Sequence, residues 1–295
     1  MTQLTDALDL VAATGLDPDD VARVVTTALA EDLAGGNDVT TESTIEADQI
    51  GTALAVPRQT GVVAGLPVAA VVFAAVSNGR LEVELAASDG DLVVPGDLLL
   101  RASGPVRDLL TAERTALNLL THLSGVATAT RLWVTAVQGT RAQIRDTRKT
   151  LPGLRALEKY AVRCGGGVNH RMSLSDAALI KDNHVAAAGS VTKAFDLVRA
   201  AAPGLPLEIE VDTIDQCAEA IAAGAELILL DNMTLPELRA CVDLASGAPD
   251  RVRLEASGGL SLDNAAAVAA TGVDYLAVGA LTHSAAALDI GLDLT

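Results

Sequence analysis

From about residue 142 onward the chain repeats one pattern: a short β-like run, a polar or glycine-bearing cluster, then an Ala-rich helical stretch. The β-like runs cover residues 142–146, 178–180, 207–211, 227–230, 252–255 and 275–278, and helical segments at 214–223, 235–244 and 262–270 separate the later ones. The clusters that follow or close the runs are Asp146-Thr147-Arg148-Lys149, Lys181-Asp182-Asn183-His184, Asp212-Thr213, Asp231-Asn232, Ser257-Gly258-Gly259 and Gly279-Ala280. From Glu210 to Asp231 is 21 residues, from Asp231 to Ser257 is 26, and from Ser257 to Gly279 is 22. Repeated βα units of this length build a parallel sheet, open or closed into a barrel. In a barrel, groups at the carboxyl ends of the strands converge on one mouth.

The first half has a different rhythm. Residues 17–46 read as helical, with Val21, Val24, Val25, Ala28 and Leu29 at helical spacing. Short β-like runs follow at 52–56, 61–64, 81–86, 92–94 and 98–101, with Gly90-Asp91 and Pro95-Gly96-Asp97 as turns. A helix over 109–120 places Leu110, Arg114 and Leu117 at i, i+4 and i+7, so a guanidinium sits on the apolar stripe. Such an arginine either snorkels to water or delivers its charge into a neighbouring site.

The charge distribution is lopsided. The chain carries a net −17, yet nine of its 21 Lys and Arg fall between Arg141 and Lys181, beside only Asp146, Glu158 and Asp176. Crowding like charges is unfavourable unless a bound anion offsets the repulsion. The run Gly165-Gly166-Gly167 inside this island offers backbone for a close approach to such an anion. Nucleic acid fits poorly: the overall charge repels a polyanion, and aromatics for stacking are 2% of residues. The island therefore points to small anions.

Glu208, Glu210 and Asp212 alternate with Ile209 and Val211 and so share one strand face. In a barrel lumen they need cations: Lys, Arg or a divalent ion. Asp231, at the next strand end, could share Mg²⁺ and a diphosphate with one of them. Ser257-Gly258-Gly259 and Val278-Gly279-Ala280 follow the last two strands, where (β/α) barrels commonly hold phosphate on backbone N–H groups.

No run reaches the ~20 apolar residues of a membrane span. The start of the chain lacks a basic secretory leader, and Cys164, Cys217 and Cys241 suit neither a disulfide framework nor zinc. A cytoplasmic protein is expected. The absence of GxGxxG after a strand disfavours a nicotinamide dehydrogenase. The stretch from Gly90 to Asp97 has the look of a lipoyl-carrier turn, but the first lysine of the chain is Lys149.

Three segments together, Asp146-Thr147-Arg148-Lys149-Thr150, the run from Gly165 to Arg171 and Lys181-Asp182-Asn183-His184, resemble quinolinate phosphoribosyltransferases. The stretches Glu31-Asp32, Asp38-Val39-Thr40, Ala112 to Asn118, Glu208 to Val211, Leu230 to Met233, Glu255 to Gly259 and Leu262-Asp263-Asn264 extend the likeness from about residue 20 to the C-terminus. The resemblance implies an α/β protein: an N-terminal α/β sandwich domain over 1–124, with 285–295 returning to it, and an incomplete TIM-like (β/α) barrel over 125–284. It implies a homodimer in which Arg114 of one subunit reaches the mouth of the other, a requirement for Mg²⁺, and no nucleic-acid or membrane partner. The implied reaction moves phosphoribose from phosphoribosyl pyrophosphate to quinolinate and releases CO₂ and pyrophosphate. A related phosphoribosyltransferase of the molybdenum-transport-associated type, with another acceptor, is the rival reading.

Under that resemblance Arg148, Arg171 and the neighbour's Arg114 hold the quinolinate carboxylates, assisted by His170 and with Thr147 beside them. Lys149 and Lys181 bridge the substrates. Glu210 and Asp231 place Mg²⁺ or steady the ribosyl cation, and Ser257, Gly258, Gly259, Val278, Gly279 and Ala280 cradle the sugar phosphate. The catalytic set is Lys149, Lys181, Glu210 and Asp231. Competing structural roles are a Lys181 pair with Asp182 or a lumen carboxylate, Asp231 as a cap for the helix near Pro236, and His184 as a packed polar residue. Cys164 is read as structural.

Overall fold

The computed structural model describes residues 3–295. In chain order the elements are α1 (Leu4–Ala13), α2 (Pro18–Leu33), α3 (Val39–Thr44), β1 (Ile50–Pro57), β2 (Gly61–Val62), α4 (Leu66–Ser77), β3 (Glu82–Leu85), β4 (Leu92–Val93), β5 (Leu100–Pro105) and α5 (Val106–Ala136). They continue with β6 (Gln143–Arg145), α6 (Arg155–Cys164), β7 (Ala178–Ile180), α7 (Asp182–Ala188), α8 (Val191–Ala201), β8 (Leu207–Val211), α9 (Ile214–Ala222), β9 (Leu227–Asp231), α10 (Leu235–Ser246), β10 (Arg253–Ser257), α11 (Leu262–Ala269), β11 (Tyr275–Ala277), α12 (Ala280–His283) and β12 (Ile290–Leu294). They form two compact units, one of residues up to 131 with 150–166 and 281–295, the other of 132–149 with 167–280. The segment 150–166 thus folds with the first unit.

In the first unit an antiparallel sheet has the order β12-β1-β5-β3, so the C-terminal strand pairs with β1. Helix α4 is buried on almost every side, from Leu66 through Ala74. A helix without a polar face carries no amphipathic period, which is why its pattern was not read from sequence. Its N-terminus is held by Asp89, which accepts the N–H groups of Gly65 and Leu66 at 2.8 and 3.0 Å. The helical stretch expected over 17–46 is two helices. Asp17 caps α2 and Asp38 caps α3, and between them Ala34 and Gly35 take positive φ and end α2.

The second unit is the βα repeat. Six parallel strands lie in the order β6-β11-β10-β9-β8-β7. Strands consecutive in sequence, β6 and β7, occupy opposite edges, as expected of an incomplete barrel. Val168 runs parallel to the outer edge of β6, accepting from Asp146 N and donating to Ile144 O. That short bridge carries the residues after it to the same end of the sheet.

Two expectations are corrected here. Gly165 does not serve an anion: a Cβ there would lie 2.5 Å from Ala127 O and from Thr130 Cβ, so the glycine permits packing against α5. Arg114 is not on the buried stripe of α5. The buried face carries Leu109, Ala112, Ala116, Leu120 and Leu123, and Arg114 is exposed.

Candidate active site

Each strand of the second unit contributes to one cavity of about 590 Å³. Thr147, Arg148 and Lys149 follow β6, Lys181 follows β7, and Glu210 lies in β8. Asp231 ends β9, Ser257 ends β10 and Ala277 ends β11. His170 and Arg171 arrive from the segment after Val168, and Leu179 and Leu229 give the pocket an apolar surface. Ten of the expected site residues therefore line one cavity: Thr147, Arg148, Lys149, His170, Arg171, Lys181, Glu210, Asp231, Ser257 and Gly258. Gly259, Val278, Gly279 and Ala280 do not line it. Val278 is buried, its N–H given to Arg145 O at 2.8 Å. Arg114 belongs to the first unit.

The competing roles can now be judged. Lys181 pairs with the lumen carboxylate Glu210, not with Asp182. Asp231 caps nothing, because Thr234 and Glu237 form the capping box of α10. It accepts instead from the amide of Asn232 at 2.7 Å and faces the cavity. Burial, and then the nearby Glu210 carboxylate, hold its pKa above the ordinary value. His184 is exposed and accepts Lys181 N–H through Nδ1 at 2.9 Å, tying down the start of α7. Asp212, expected in the lumen with Glu208 and Glu210, lies just past β8 and is exposed. The Cys164 thiol is pushed up to about 11, first by burial, which keeps it inert at neutral pH.

Arg171 donates Nη1 to Ala177 O at 2.8 Å, while its Nε finds no protein acceptor. Burial and the neighbouring Arg148 depress its pKa. A guanidinium that lines a cavity beside another cation suits an anionic ligand. Gly258, at φ +85°, has its missing Cβ replaced by Asn232: a methyl there would sit 2.2 Å from the Asn232 amide oxygen.

Beneath these residues is a buried charge cluster in which Glu208, expected in the lumen beside a cation, and His170 meet Arg145 and Glu255, to which the sequence assigned no role. Arg145 reaches Glu255 at 2.7 Å and Glu208 at 4.0 Å, and stacks 4.9 Å from the Tyr275 ring. His170 Nε2 lies 2.9 Å from Glu208 and 3.7 Å from Glu255. Burial, above all, raises both carboxylates to about 7. Burial would lower the Arg145 pKa, but Glu255 and Glu208 prevail and raise it. The period-two parity that groups Glu208 with Glu210 applies equally to Arg145 with Thr147 and to Glu255 with Ser257. Asp146, wholly buried, fixes the adjoining loop by accepting His170 N–H at 2.8 Å and the Asn169 amide at 2.6 Å.

This arrangement, a parallel sheet with cations and carboxylates at one end, has close counterparts. Models of the quinolinate phosphoribosyl transferase N-terminal and C-terminal domains match residues 38–124 and 126–293. The chain is 56% identical over 277 residues to a nicotinate-nucleotide pyrophosphorylase (carboxylating) of Mycobacterium leprae, covering 93% of this chain and 98% of that one. A probable enzyme of the same name from Bacillus subtilis is 42% identical, with 90% of each chain covered. The crystal structure of NadC from Streptococcus pyogenes matches with a TM-score of 0.90 at 41% identity, over 95% of this chain and 98% of that one. With both domain models matched in order and full-length relatives at this identity, the chain belongs to the quinolinate phosphoribosyltransferase family.

Proposed function

We propose that this protein transfers phosphoribose from phosphoribosyl pyrophosphate to the ring nitrogen of quinolinate and decarboxylates the product, giving nicotinate mononucleotide, CO₂ and pyrophosphate for NAD biosynthesis. The observation that carries the reading is the wall of one cavity: Arg148, Lys149, Arg171 and Lys181 facing Glu210 and Asp231. Quinolinate brings two adjacent carboxylates and its co-substrate a phosphate and a diphosphate. Only a dense cation cluster tolerates that much negative charge in one pocket.

Arg148 and Arg171 take the carboxylates through paired N–H donors, and Leu179, Leu229 and Ala277 face the flat pyridine ring. The ring nitrogen's lone pair forms the bond to C1 of the ribose as the C1–O bond to diphosphate breaks. Glu210 and Asp231 stabilise the cationic character that develops at C1. Lys149 and Lys181 meet the charge of the leaving group. The alkylated ring then accepts the electron pair left when the carbon–carboxylate bond breaks, and the ring carbon takes up a proton. Catalysis rests on positioning and fixed charge. Ser257 and Gly258, with Gly259, Val278, Gly279 and Ala280 beyond them, are the proposed phosphate cradle.

Mg²⁺ fits this site. Glu210 and Asp231 offer hard oxygen donors on the wall of one cavity, and burial first and the Glu210 carboxylate second raise the pKa of Asp231. Bound there, Mg²⁺ would neutralise diphosphate oxygens. We further propose a cytoplasmic homodimer in which Arg114 completes the partner's site. In support, Arg114 is exposed on α5 and has no polar partner among the described residues. The decisive assay is pyrophosphate release with quinolinate and phosphoribosyl pyrophosphate, run beside nicotinate. Release with quinolinate alone supports the reading, and equal or greater release with nicotinate defeats it. Mixing Arg114→Ala with Lys149→Ala subunits tests the dimer: shared sites restore part of the activity, and separate sites restore none.

A further inference from the structure

His170 lines the cavity, yet both of its ring nitrogens are engaged within the protein. Nδ1 accepts the backbone N–H of Arg171 at 2.7 Å, and Nε2 lies 2.9 Å from Glu208 Oε2. A neutral imidazole has one N–H and one lone pair. Since Nδ1 is an acceptor, Nε2 carries the proton and donates it to Glu208. Among the described residues His170, Glu208 and Glu255 also form the trio whose ligand atoms lie within 4.8 Å, the make-up of a divalent-metal site. The tautomer opposes that use: coordination through Nε2 would require the proton on Nδ1, where the Arg171 N–H already points. Arg145, 2.7 Å from Glu255, already supplies the cluster's counter-charge.

We infer that Glu208 is a positioning residue: by accepting the Nε2–H it fixes the tautomer and orientation of His170, and the ring in turn holds the Arg171 peptide. Arg171 is thereby gripped at two points, its N–H by the imidazole and its Nη1 by Ala177 O. So held, Arg171 lines the cavity. Glu208 never touches substrate in this arrangement, and His170 serves the carboxylates through Arg171 instead of by a hydrogen bond of its own.

The kinetic half of the test rests on the proposed reaction and the spectroscopic half does not, so the two can fail separately. In the wild-type protein labelled with ¹⁵N-histidine, His170 should show a protonated Nε2 and a bare Nδ1. A protonated Nδ1 overturns the inference whatever the enzyme turns over. Glu208→Leu, which removes the acceptor, should abolish that tautomer preference and raise KM for quinolinate about tenfold, with KM for phosphoribosyl pyrophosphate within about twofold. Glu208→Gln, which keeps an acceptor oxygen, should recover both the tautomer and most of the quinolinate affinity. Unchanged quinolinate KM in a folded Glu208→Leu protein, or a Glu208→Gln protein as impaired as Glu208→Leu, refutes the role.

Discussion

The cations of α6 and those of the barrel mouth come from one stretch of sequence and meet different fates. Arg155, Lys159 and Arg163 fold into the first unit. There Lys159 is wholly buried, Arg155 Nε donates to Thr150 at 3.0 Å, and Arg163 lies over the Tyr160 ring at 5.4 Å. Arg148, Lys149, Arg171 and Lys181 instead surround an open cavity in the second unit. Arg145 takes a third course, neutralised from within by Glu255 and Glu208. A cation run in sequence therefore signals a ligand only where the fold brings its members to the wall of a cavity.

Five substitutions probe that contrast. Lys181→Ala should lower turnover by roughly 10²–10³-fold with Tm changed by only a few degrees, measured by pyrophosphate release and thermal melting. A collapse of the fold instead would place Lys181 with the structural cations. Lys159→Met should behave in the opposite way. Removing a wholly buried ammonium costs about 3 kcal/mol, or a Tm drop of roughly 10 °C, with turnover of the folded protein within about twofold.

Glu255 separates the third class. Its pKa rises from 4.5 in the unfolded chain to about 7 in the folded protein, through burial first and the facing Glu208 second. The folded state thus keeps a proton that the unfolded chain has released between those values. Its stabilising effect is complete below about pH 4.5 and is lost as pH rises through 7, at roughly 1 kcal/mol per unit. Tm profiles of wild type and Glu255→Gln should converge or cross over that interval, the glutamine variant declining less steeply. Parallel profiles would show that Arg145 and His170 hold Glu255 ionised throughout.

Arg171→Ala should raise KM for quinolinate about tenfold and weaken nicotinate binding less, because nicotinate lacks the second carboxylate. Equal losses would deny Arg171 its carboxylate. Arg163→Ala, the smallest change, should cost under about 1 kcal/mol and leave both KM values alone. A kinetic effect there would erase the distinction between the two groups.

Much of the second unit was legible because its strands and helices alternate with an unbroken period and each strand ends in a polar cluster. Ala178–Ile180 and Leu207–Val211 coincide with the expected runs, and the others differ by one or two residues at their ends. The first unit was less legible. Helix α4 lacks a polar face, and α5 runs for 31 residues where twelve were expected, because its stripe continues through Leu123, Val126 and Ala127. In the site, the residues that meet the cavity announce themselves as charged motifs. The pairing of Arg145 with Glu255 and Glu208 does not, since the three lie on different strands and only the register brings them together.

The excursion of residues 150–166 into the first unit has a consequence for autonomy. The loops bearing Arg148 and His170 leave and re-enter the barrel through α6, whose inner face of Leu157, Tyr160, Ala161 and Val162 is buried. Any polypeptide cut to the second unit needs a substitute connection between Lys149 and Gly167, because the native one belongs to the first unit.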